Sequence, residues 1–181
     1  MKVIKKVMPD VLVIEPQVFK DERGFFFESF NARRFAELTG VTESFVQVNI
    51  SRSSYNVLRG LHYQAQYAQG KLVQVIAGEV FDVAVDLRQS SPSFGRWVGT
   101  TLSAANRLQH WIPPGFAHGF LVTSASADVL YKTTAYYAPE HERTIRWNDI
   151  AIDIHWPLQG SPVLSAKDLA AGPLKEADFF A

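Results

Sequence analysis

Residues 71–88, KLVQVIAGEVFDVAVDLR, contain two runs rich in valine and isoleucine on either side of Ala77-Gly78-Glu79. Two β-branched runs around a short glycine-containing turn predict a β-hairpin. Outward from this stretch, short apolar runs recur at intervals of roughly ten residues, which is typical of an all-β sandwich or barrel. Glycine, proline, asparagine and serine separate these runs. We therefore predict an all-β fold.

The rest of the chain predicts further strands and two helices. The longer helix is residues 32–39, ARRFAELT, with Asn31 as its N-cap and Gly40 just beyond its end. Residues 165–168, SAKD, fit a capping box that opens a short second helix, which Gly172-Pro173 ends. Further strands are predicted at residues 11–15, 44–53, 57–63, 97–102, 108–112, 119–123 and 129–137, and the last of these places Val129, Tyr131, Thr133, Ala135 and Tyr137 on one face.

Length and composition limit the class of protein. The 181 residues fit one domain over residues 1–181, and a domain of this size buries roughly 70% of its unfolded surface. The absence of cysteine excludes disulfides and thiolate chemistry and, with no charged-then-apolar leader, predicts a cytoplasmic protein. No apolar run is long enough to span a membrane. Eighteen basic residues balance 18 acidic ones, so we expect no nucleic-acid or membrane partner, and any anionic ligand must meet a local cluster.

Residues 58–71, LRGLHYQAQYAQGK, contain three side chains suited to acid–base chemistry: Arg59, His62 and Lys71. A neutral histidine accepts protons near pH 7, and fixed cations beside it could hold phosphate or stabilise an oxyanion. The alternative is a half-buried histidine with two solvated cations at a sheet edge. Strict alternation places Arg59 and His62 on opposite faces, so a shared site requires a bulge or twist at Gly60.

Residues 44–53, SFVQVNISRS, alternate between apolar and polar side chains. The polar face either meets water or, in a barrel, points inward, where Gln47 and Asn49 would be donors in a pocket. The pattern leaves both alternatives open. The apolar face carries Val46, Val48 and Ile50, and the polar face carries Gln47, Asn49 and Ser51.

Residues 112–120, IPPGFAHGF, include Pro113-x-Gly115-x-x-His118, which resembles the second motif of the cupin superfamily of β-barrels. Metal-binding cupins also carry a His-x-His pair followed by an acidic residue. Here His62 takes the place of the first histidine, but Gln64 stands two residues later and no acidic residue lies between His62 and Gly78. Two histidines alone are a poor ligand set for iron, manganese or zinc. We therefore predict a cupin pocket without a metal.

Three residues are candidates for proton transfer. His62 is the candidate base, and Tyr131 is a hydroxyl donor from another strand. Asp168 could hold the imidazole in one tautomer and stabilise its protonated form. The alternatives are that Tyr131 is an ordinary barrel aromatic and that Asp168 only caps a helix.

Eight segments together resemble the dTDP-4-dehydrorhamnose 3,5-epimerase family of deoxysugar metabolism, in this order and spacing. They are RGFFFESFN, FVQVN with SRS, VLRGLHYQ, QGKLVQVIAGEVFDVAVDLR, IPPGFAHGF, LYKTT, APEHERTIRWND and LSAKD, and they cover the chain from Val11 to about Leu174. One departure is Asn56, where relatives usually have glycine. Asparagine tolerates a left-handed backbone, so we expect the turn to survive. The tail, residues 175–181, lies outside the match.

The resemblance implies a cupin-type double-stranded β-helix, or jelly-roll barrel, with a few short helices and no cofactor. It implies a homodimer with shared active sites, because the N-terminal strand resembles an element exchanged between subunits. In this family His62 is the base, Asp168 its partner and Tyr131 the acid. The implied substrate-binding residues are Arg23, Phe26, Glu28, Gln47, Asn49, Arg59, Lys71, His118, Tyr137, Glu142 and Lys167.

The implied activity is epimerisation at carbons 3 and 5 of dTDP-4-dehydro-6-deoxy-D-glucose, which gives dTDP-4-dehydro-L-rhamnose. The keto group at carbon 4 acidifies both neighbouring carbons, so a base, an acid and an oxyanion stabiliser suffice. We assign the enolate to Lys71, with help from His118, and the diphosphate to Arg59, whose guanidinium fork matches paired oxygens. The alternatives are a single-site epimerase, a metal-dependent cupin enzyme and a non-catalytic sugar-nucleotide binding module.

Overall fold

The computed structural model describes residues 1–8 and 10–181 and consists mainly of antiparallel strands. The two helices are α1 (Ala32–Thr39) and α2 (Ala166–Leu169), and 3₁₀ turns lie at Pro139–His141 and Leu174–Glu176. In chain order, the strands are β1 (Lys2–Met8), β2 (Val11–Glu15), β3 (Val18–Asp21), β4 (Gly24–Phe27), β5 (Gln47–Ser54), β6 (Leu58–Gln64), β7 (Lys71–Ala77), β8 (Glu79–Asp86), β9 (Trp97–Ser103), β10 (Gln109–Ile112), β11 (Phe116–Val122), β12 (Ser126–Thr133) and β13 (Glu142–Thr144).

Two sheets form a sandwich. The first has six strands in the order β1-β2-β10-β7-β12-β5, and the second has five in the order β13-β6-β11-β8-β9. Strands β3 and β4 pair with each other as a separate hairpin. This arrangement confirms the predicted all-β, cupin-type fold. Within the described residues, neither helix has the length and apolar character needed to cross a membrane.

The core has an inner layer and two outer layers. Val73 and Val129 of the six-stranded sheet meet Val80 and Ala84 of the five-stranded sheet, and all four are fully buried. Helix α1 covers the outside of the six-stranded sheet, where the ring of Phe35 lies 5.4 Å from that of Trp111. Residues near the C-terminus cover the outside of the five-stranded sheet. Strands buried on both faces consist mostly of apolar residues, which explains the long apolar runs.

The hairpin predicted for residues 71–88 has both of its strands, but they do not pair. Strand β7 pairs with β10 and β12, whereas β8 pairs with β9 and β11. The turn at Gly78 therefore carries the chain from one sheet to the other. Because β7 and β8 are buried on both faces, their side-chain pattern does not specify which strands they pair with.

Both predicted helices form, but the second is shorter than expected. Asn31 accepts a hydrogen bond from the backbone N–H of Arg34, and Gly40 is left-handed with φ of 76°, as predicted for α1. Helix α2 ends at Leu169, before Gly172. Its cap has half of the predicted capping box: the Ser165 hydroxyl accepts from the N–H of Asp168 at 3.2 Å. The other half differs, because the Asp168 carboxylate accepts from the Ser165 hydroxyl and not from the Ser165 backbone.

The strand predicted at residues 129–137 ends earlier, at Thr133, so Ala135 and Tyr137 lie beyond it. The Thr133 hydroxyl donates to the carbonyl oxygen of Ala135 at 2.9 Å, and the N–H of Thr134 donates to the carbonyl oxygen of Gly70. These bonds turn the chain away from β5. The strand predicted at 119–123 begins earlier, at Phe116.

The tail, to which the sequence assigned nothing, packs behind β6. The N–H of Phe180 donates to the carbonyl oxygen of Leu87, and its ring lies 6.0 Å from that of Tyr63. The Tyr63 hydroxyl accepts from the N–H of Asp178, whose carboxylate pairs with Arg143 at 2.7 Å. The tail therefore ties β6 to β13 on the outer face of the five-stranded sheet.

Candidate active site

A cavity of about 330 Å³ lies between the two sheets, and its lining is mostly polar. Strands β5, β7 and β12 supply one side and strands β6, β11 and β13 the other. The lining residues are Gln47, Asn49, Ser51, Arg59, His62, Gln69, Lys71, His118, Gly119, Phe120, Tyr131, Tyr137, Glu142 and Lys167.

Strand β5 points its polar face into the cavity. Gln47, Asn49 and Ser51 line it, whereas Val48 and Ile50 on the other face are exposed. The alternation of β5 left open whether its polar face meets water or points into the barrel, and in the structure it points into the barrel. It also leaves β5, an edge strand, with an apolar outer face.

A bulge at Gly60 brings Arg59 and His62 to the same cavity. On β11, His118 pairs with His62 and Phe120 with Arg59, so two residues of β6 lie opposite Gly119 alone. Gly60 has φ of 131°, and a Cβ atom there would lie 2.5 Å from the Cα of Gly119. Only glycine fits this close approach. The predicted bulge is confirmed.

His62 is paired with a buried carboxylate. Its Nε2 lies 2.6 Å from an oxygen of Asp168, and the other carboxylate oxygen accepts from the Ser165 hydroxyl at 2.7 Å. Burial alone would raise the pKa of Asp168, but the hydrogen bonds from His62 and Ser165 outweigh it and lower the pKa. Asp168 is therefore ionised near neutral pH. Because it engages Nε2, the nitrogen of His62 left for proton transfer is Nδ1.

Tyr131 enters the cavity from the opposite sheet. It lies on β12, in register with Asn49 of β5 and Val73 of β7. Burial raises the pKa of its hydroxyl above the usual value of tyrosine, so Tyr131 carries its proton at neutral pH. A proton acceptor and a proton donor thus come from facing sheets.

Lys71 is the most deeply buried cation of the cavity lining. Its Nζ donates to the carbonyl oxygen of His62 at 3.3 Å. Burial lowers its pKa from 10.5 to about 8, although the charges of Asp82 and Glu142 act in the opposite direction. At pH 7 the side chain is therefore a desolvated ammonium group, which interacts strongly with any negative charge that forms beside it.

His118 is held from behind by a carboxylate that sequence reasoning missed. Asp82, fully buried on β8, contacts Nε2 of His118 at 2.7 Å and Nδ1 of His110 at 2.8 Å. Burial would raise the pKa of Asp82, but the two histidines lower it to about 2. Burial lowers the pKa of His118, so its ring is neutral at pH 7. A lone carboxylate inside the apolar run VFDVAV was the available signal.

A hydrogen-bonded chain crosses the cavity mouth. One oxygen of Glu142 pairs with the Lys167 ammonium at 2.8 Å, and the other accepts from the Tyr137 hydroxyl at 3.0 Å. Burial would raise the pKa of Glu142, but these partners lower it. Arg59 also lies at the mouth, where its Nε donates to the Ser53 hydroxyl at 2.9 Å.

Comparison with known proteins gives the same family along almost the whole chain. Residues 5–176 match the family model described as dTDP-4-dehydrorhamnose 3,5-epimerase. The chain belongs to this family. The enzyme of that name from Pseudomonas aeruginosa is 59% identical over 180 residues, which cover 99% of each chain.

Two solved structures extend the family comparison. The dTDP-6-deoxy-D-glucose-3,5-epimerase of Legionella pneumophila, crystallised with dTDP-4-keto-L-rhamnose, is 56% identical with a TM-score of 0.95 and covers 98% of this chain and 94% of its own. A 3'-monoepimerase from Streptomyces bikiniensis in complex with dTDP-quinovose is 30% identical with a TM-score of 0.86, over 93% of this chain and 86% of its own.

Three residues that the family resemblance assigns to substrate lie outside the cavity. Arg23 and Phe26 are exposed on the β3–β4 hairpin, and Arg23 pairs with Asp21 of the same hairpin. Glu28 follows the hairpin, accepts from Asn31 at 3.1 Å and lies 3.5 Å from Arg34. The other assigned residues line the cavity, apart from Asp168, which lies behind His62.

The cavity also contains residues that the sequence did not single out. Ser51 continues the Gln47–Asn49 alternation, and Phe120 lies two residues after His118, so strand periodicity was the available signal for both. Gln69 lies in a loop, where no periodicity exists to predict it. Among residues 1–8 and 10–181, no three His, Asp or Glu side chains are grouped as metal ligands.

The family departure at Asn56 is accommodated as expected. Asn56 adopts φ of 62°, within the left-handed region. Its side-chain amide also donates to the carbonyl oxygens of Gln159 and Ser161, at 3.2 and 2.8 Å. The asparagine therefore fixes the loop that precedes α2, which glycine could not do.

Proposed function

We propose that the chain converts dTDP-4-dehydro-6-deoxy-D-glucose into dTDP-4-dehydro-L-rhamnose by epimerisation at carbons 3 and 5, without a cofactor. The observation that carries the proposal is the placement of the His62–Asp168 pair and Tyr131 on facing sheets, with the Lys71 ammonium in the same cavity. Family membership and curated relatives that are 59–60% identical support it.

The base is His62, acting through Nδ1. It removes the proton from carbon 3 or carbon 5, and the electron pair of the broken C–H bond moves toward the oxygen on carbon 4. Asp168 stabilises the imidazolium ion through Nε2. The Lys71 ammonium stabilises the enolate oxygen, because a fixed, desolvated charge acts on negative charge that appears only as the reaction proceeds.

Tyr131 returns a proton to the opposite face of the same carbon, which inverts the centre. If the base returned a proton to the face from which it had removed one, the carbon would exchange its hydrogen without inverting. His118 is neutral at pH 7, so we assign it to a sugar hydroxyl and leave the enolate to Lys71. Arg59 at the mouth binds the diphosphate, Gln47, Asn49, Glu142 and Lys167 bind the sugar nucleotide, and Tyr137 contacts its rings.

We further propose a homodimer in which the β3–β4 hairpin of one subunit reaches the cavity of the other. The hairpin exposes Phe19, Phe25 and Phe26 together with Arg23, and the family resemblance assigns Arg23 and Phe26 to the substrate. The exposed apolar face of β5 offers a second contact surface to another copy. Mixing an inactive Arg23→Ala chain with an inactive His62→Asn chain should regenerate activity once subunits exchange. If the exchanged mixture stays inactive, each site is built within one chain.

The reaction in heavy water tests the function. A 3,5-epimerase incorporates deuterium at both carbon 3 and carbon 5, whereas a single-site epimerase such as the Streptomyces bikiniensis relative inverts only one centre. Label at one carbon, with inversion there alone, would exclude the double epimerisation. A chelator-sensitive activity restored by one divalent ion would instead support the metal-dependent alternative. The cytoplasmic location and the single domain over residues 1–181 stay predictions from composition and length.

A further inference from the structure

Gln64 is a buried side chain with an unusually complete set of loop contacts. It lies on β6, two residues after His62, and only 3% of its surface is exposed. Its Nε2 donates to the carbonyl oxygens of Tyr67 at 2.9 Å and Tyr136 at 3.2 Å, and its Oε1 accepts from the N–H of Ala138 at 2.9 Å. A primary amide is the side chain that can donate twice and accept at one site.

The same loop is held from the opposite sheet. The Oε1 of Gln47, on β5, accepts from the N–H of Tyr137 at 2.9 Å, and its Nε2 donates to Asn49. Backbone groups of three successive residues, 136–138, are thus bound by two glutamines. Gln64 belongs to the five-stranded sheet and Gln47 to the six-stranded sheet. We call residues 136–138 the bridged loop, because it joins the two sheets at the cavity mouth.

Apart from the two glutamines, the bridged loop is tied to regular structure at its last residue, where the carbonyl oxygen of Ala138 accepts from the N–H of His141 in the following 3₁₀ turn. It follows the end of β12 and lies outside every helix and strand. A loop without ladder hydrogen bonds moves unless side chains fix it. The residue at its centre is Tyr137, whose hydroxyl donates to Glu142 and whose ring lines the cavity while half of its surface stays exposed. Gln64 itself does not line the cavity.

We infer that Gln64 is a positioning residue for the sugar nucleotide: it fixes the bridged loop so that Tyr137 is preorganised as a binding surface. The inference rests on the proposed function. Gln64 stands at the position where a metal-binding cupin has a histidine ligand. Its amide makes hydrogen bonds to two loops. Preorganising a contact residue lowers the entropy lost when the ligand binds, so the effect belongs to binding and not to proton transfer.

The test compares Gln64→Met with wild type on dTDP-4-dehydro-6-deoxy-D-glucose. Methionine keeps the length of the side chain and removes all three hydrogen bonds. We expect KM to rise about tenfold while kcat falls less than about threefold, the pattern of lost ground-state binding. In a Tyr137→Ala background, Gln64→Met should change KM by less than about twofold, because the contact it positions is gone. Gln64→Leu, which also removes all three hydrogen bonds, is the substitute if Gln64→Met does not fold, and the same change in KM is expected.

Ser124→Ala is the matched control. The Ser124 hydroxyl accepts from the N–H of Glu79 and donates to the carbonyl oxygen of Ser126, at the opposite end of β12 from the bridged loop. It should lower the melting temperature without changing KM. An unchanged KM in Gln64→Met, or an equal rise in both Tyr137 backgrounds, would overturn the inference. Inactive wild-type protein would overturn the proposed function instead.

Discussion

Replacing Lys71 with methionine should stabilise the fold and abolish turnover. Burial lowers the pKa of Lys71 from 10.5 to about 8, so between these values the unfolded chain binds a proton that the folded chain does not. The folded state is therefore penalised at every pH below about 8, and the penalty fades as the pH rises toward 10.5. At roughly 1.4 kcal/mol per pH unit, the penalty at pH 7 is about 3 kcal/mol.

Calorimetric unfolding of wild type and Lys71→Met at pH 7 and pH 10 measures this penalty. For a chain of this size, about 3 kcal/mol corresponds to a rise in melting temperature of roughly 6–12 °C at pH 7. At pH 10 the difference should shrink below about 1 kcal/mol, because the wild-type lysine is then neutral when folded and partly neutral when unfolded. Lys6→Met, an exposed lysine on β1 of the same sheet, should change stability by less than about 0.5 kcal/mol.

The same variant should lose two to three orders of magnitude in kcat, about the loss expected when an oxyanion donor is removed. A lower melting temperature at pH 7, or a gain that persists unchanged at pH 10, would refute the assignment of a buried charge whose burial outweighs the attraction of Asp82 and Glu142. A stabilised variant that keeps its turnover would refute the catalytic role alone.

Three further predictions concern the base, the pH profile and the tail. His62→Asn should lower both product formation and the washout of carbon-bound deuterium by about two to four orders of magnitude. Tyr131→Phe should keep the washout and lose product formation. An equal loss of washout in both variants would contradict the roles assigned to the two residues. In wild type, kcat/KM should fall above about pH 8 as Lys71 of the free enzyme loses its proton, and a profile of kcat/KM that stays flat to pH 10 would count against it. Deleting residues 178–181 should lower the free energy of unfolding, measured with urea, by about 3 kcal/mol, chiefly because Phe179 and Phe180 are no longer buried. The exposed ion pair between Asp178 and Arg143 adds little to this loss.

The sequence predicted where the strands and helices lie better than it predicted which strands pair. The two apolar runs of residues 71–88 are strands, but a strand buried on both faces has no alternation to specify its neighbours, so the sheet-to-sheet crossing at Gly78 was not visible. Helix α1 was predictable to the residue because its caps are local chemistry at Asn31 and Gly40. The end of β12 was not, because one of the bonds that turn the chain there joins Thr134 to Gly70, which is distant in sequence.

The candidate site residues that belong to sequence motifs were predictable, and those whose role depends on strand pairing were not. His62, Lys71 and His118 belong to motifs with recognisable spacing, and the cavity contains all three. Asp82 belongs to no motif, because its role depends on the pairing of β8 with β11, which places it beside His118. Gln64 was considered only as a missing metal ligand. Its contacts with two loops follow from tertiary structure alone.

The proposed separation of roles between the sheets accounts for one site acting on two carbons. Carbons 3 and 5 flank carbon 4, so under the proposed assignment a sugar whose carbon 4 oxygen is held by Lys71 presents both carbons to a base on one face and an acid on the other. His62 lies on the five-stranded sheet and Tyr131 on the six-stranded sheet. Single and double epimerisation therefore need the same base and acid. We expect the difference between them to lie in how the ring is held between the two inversions, and therefore in the proposed binding residues at the cavity mouth, such as Tyr137.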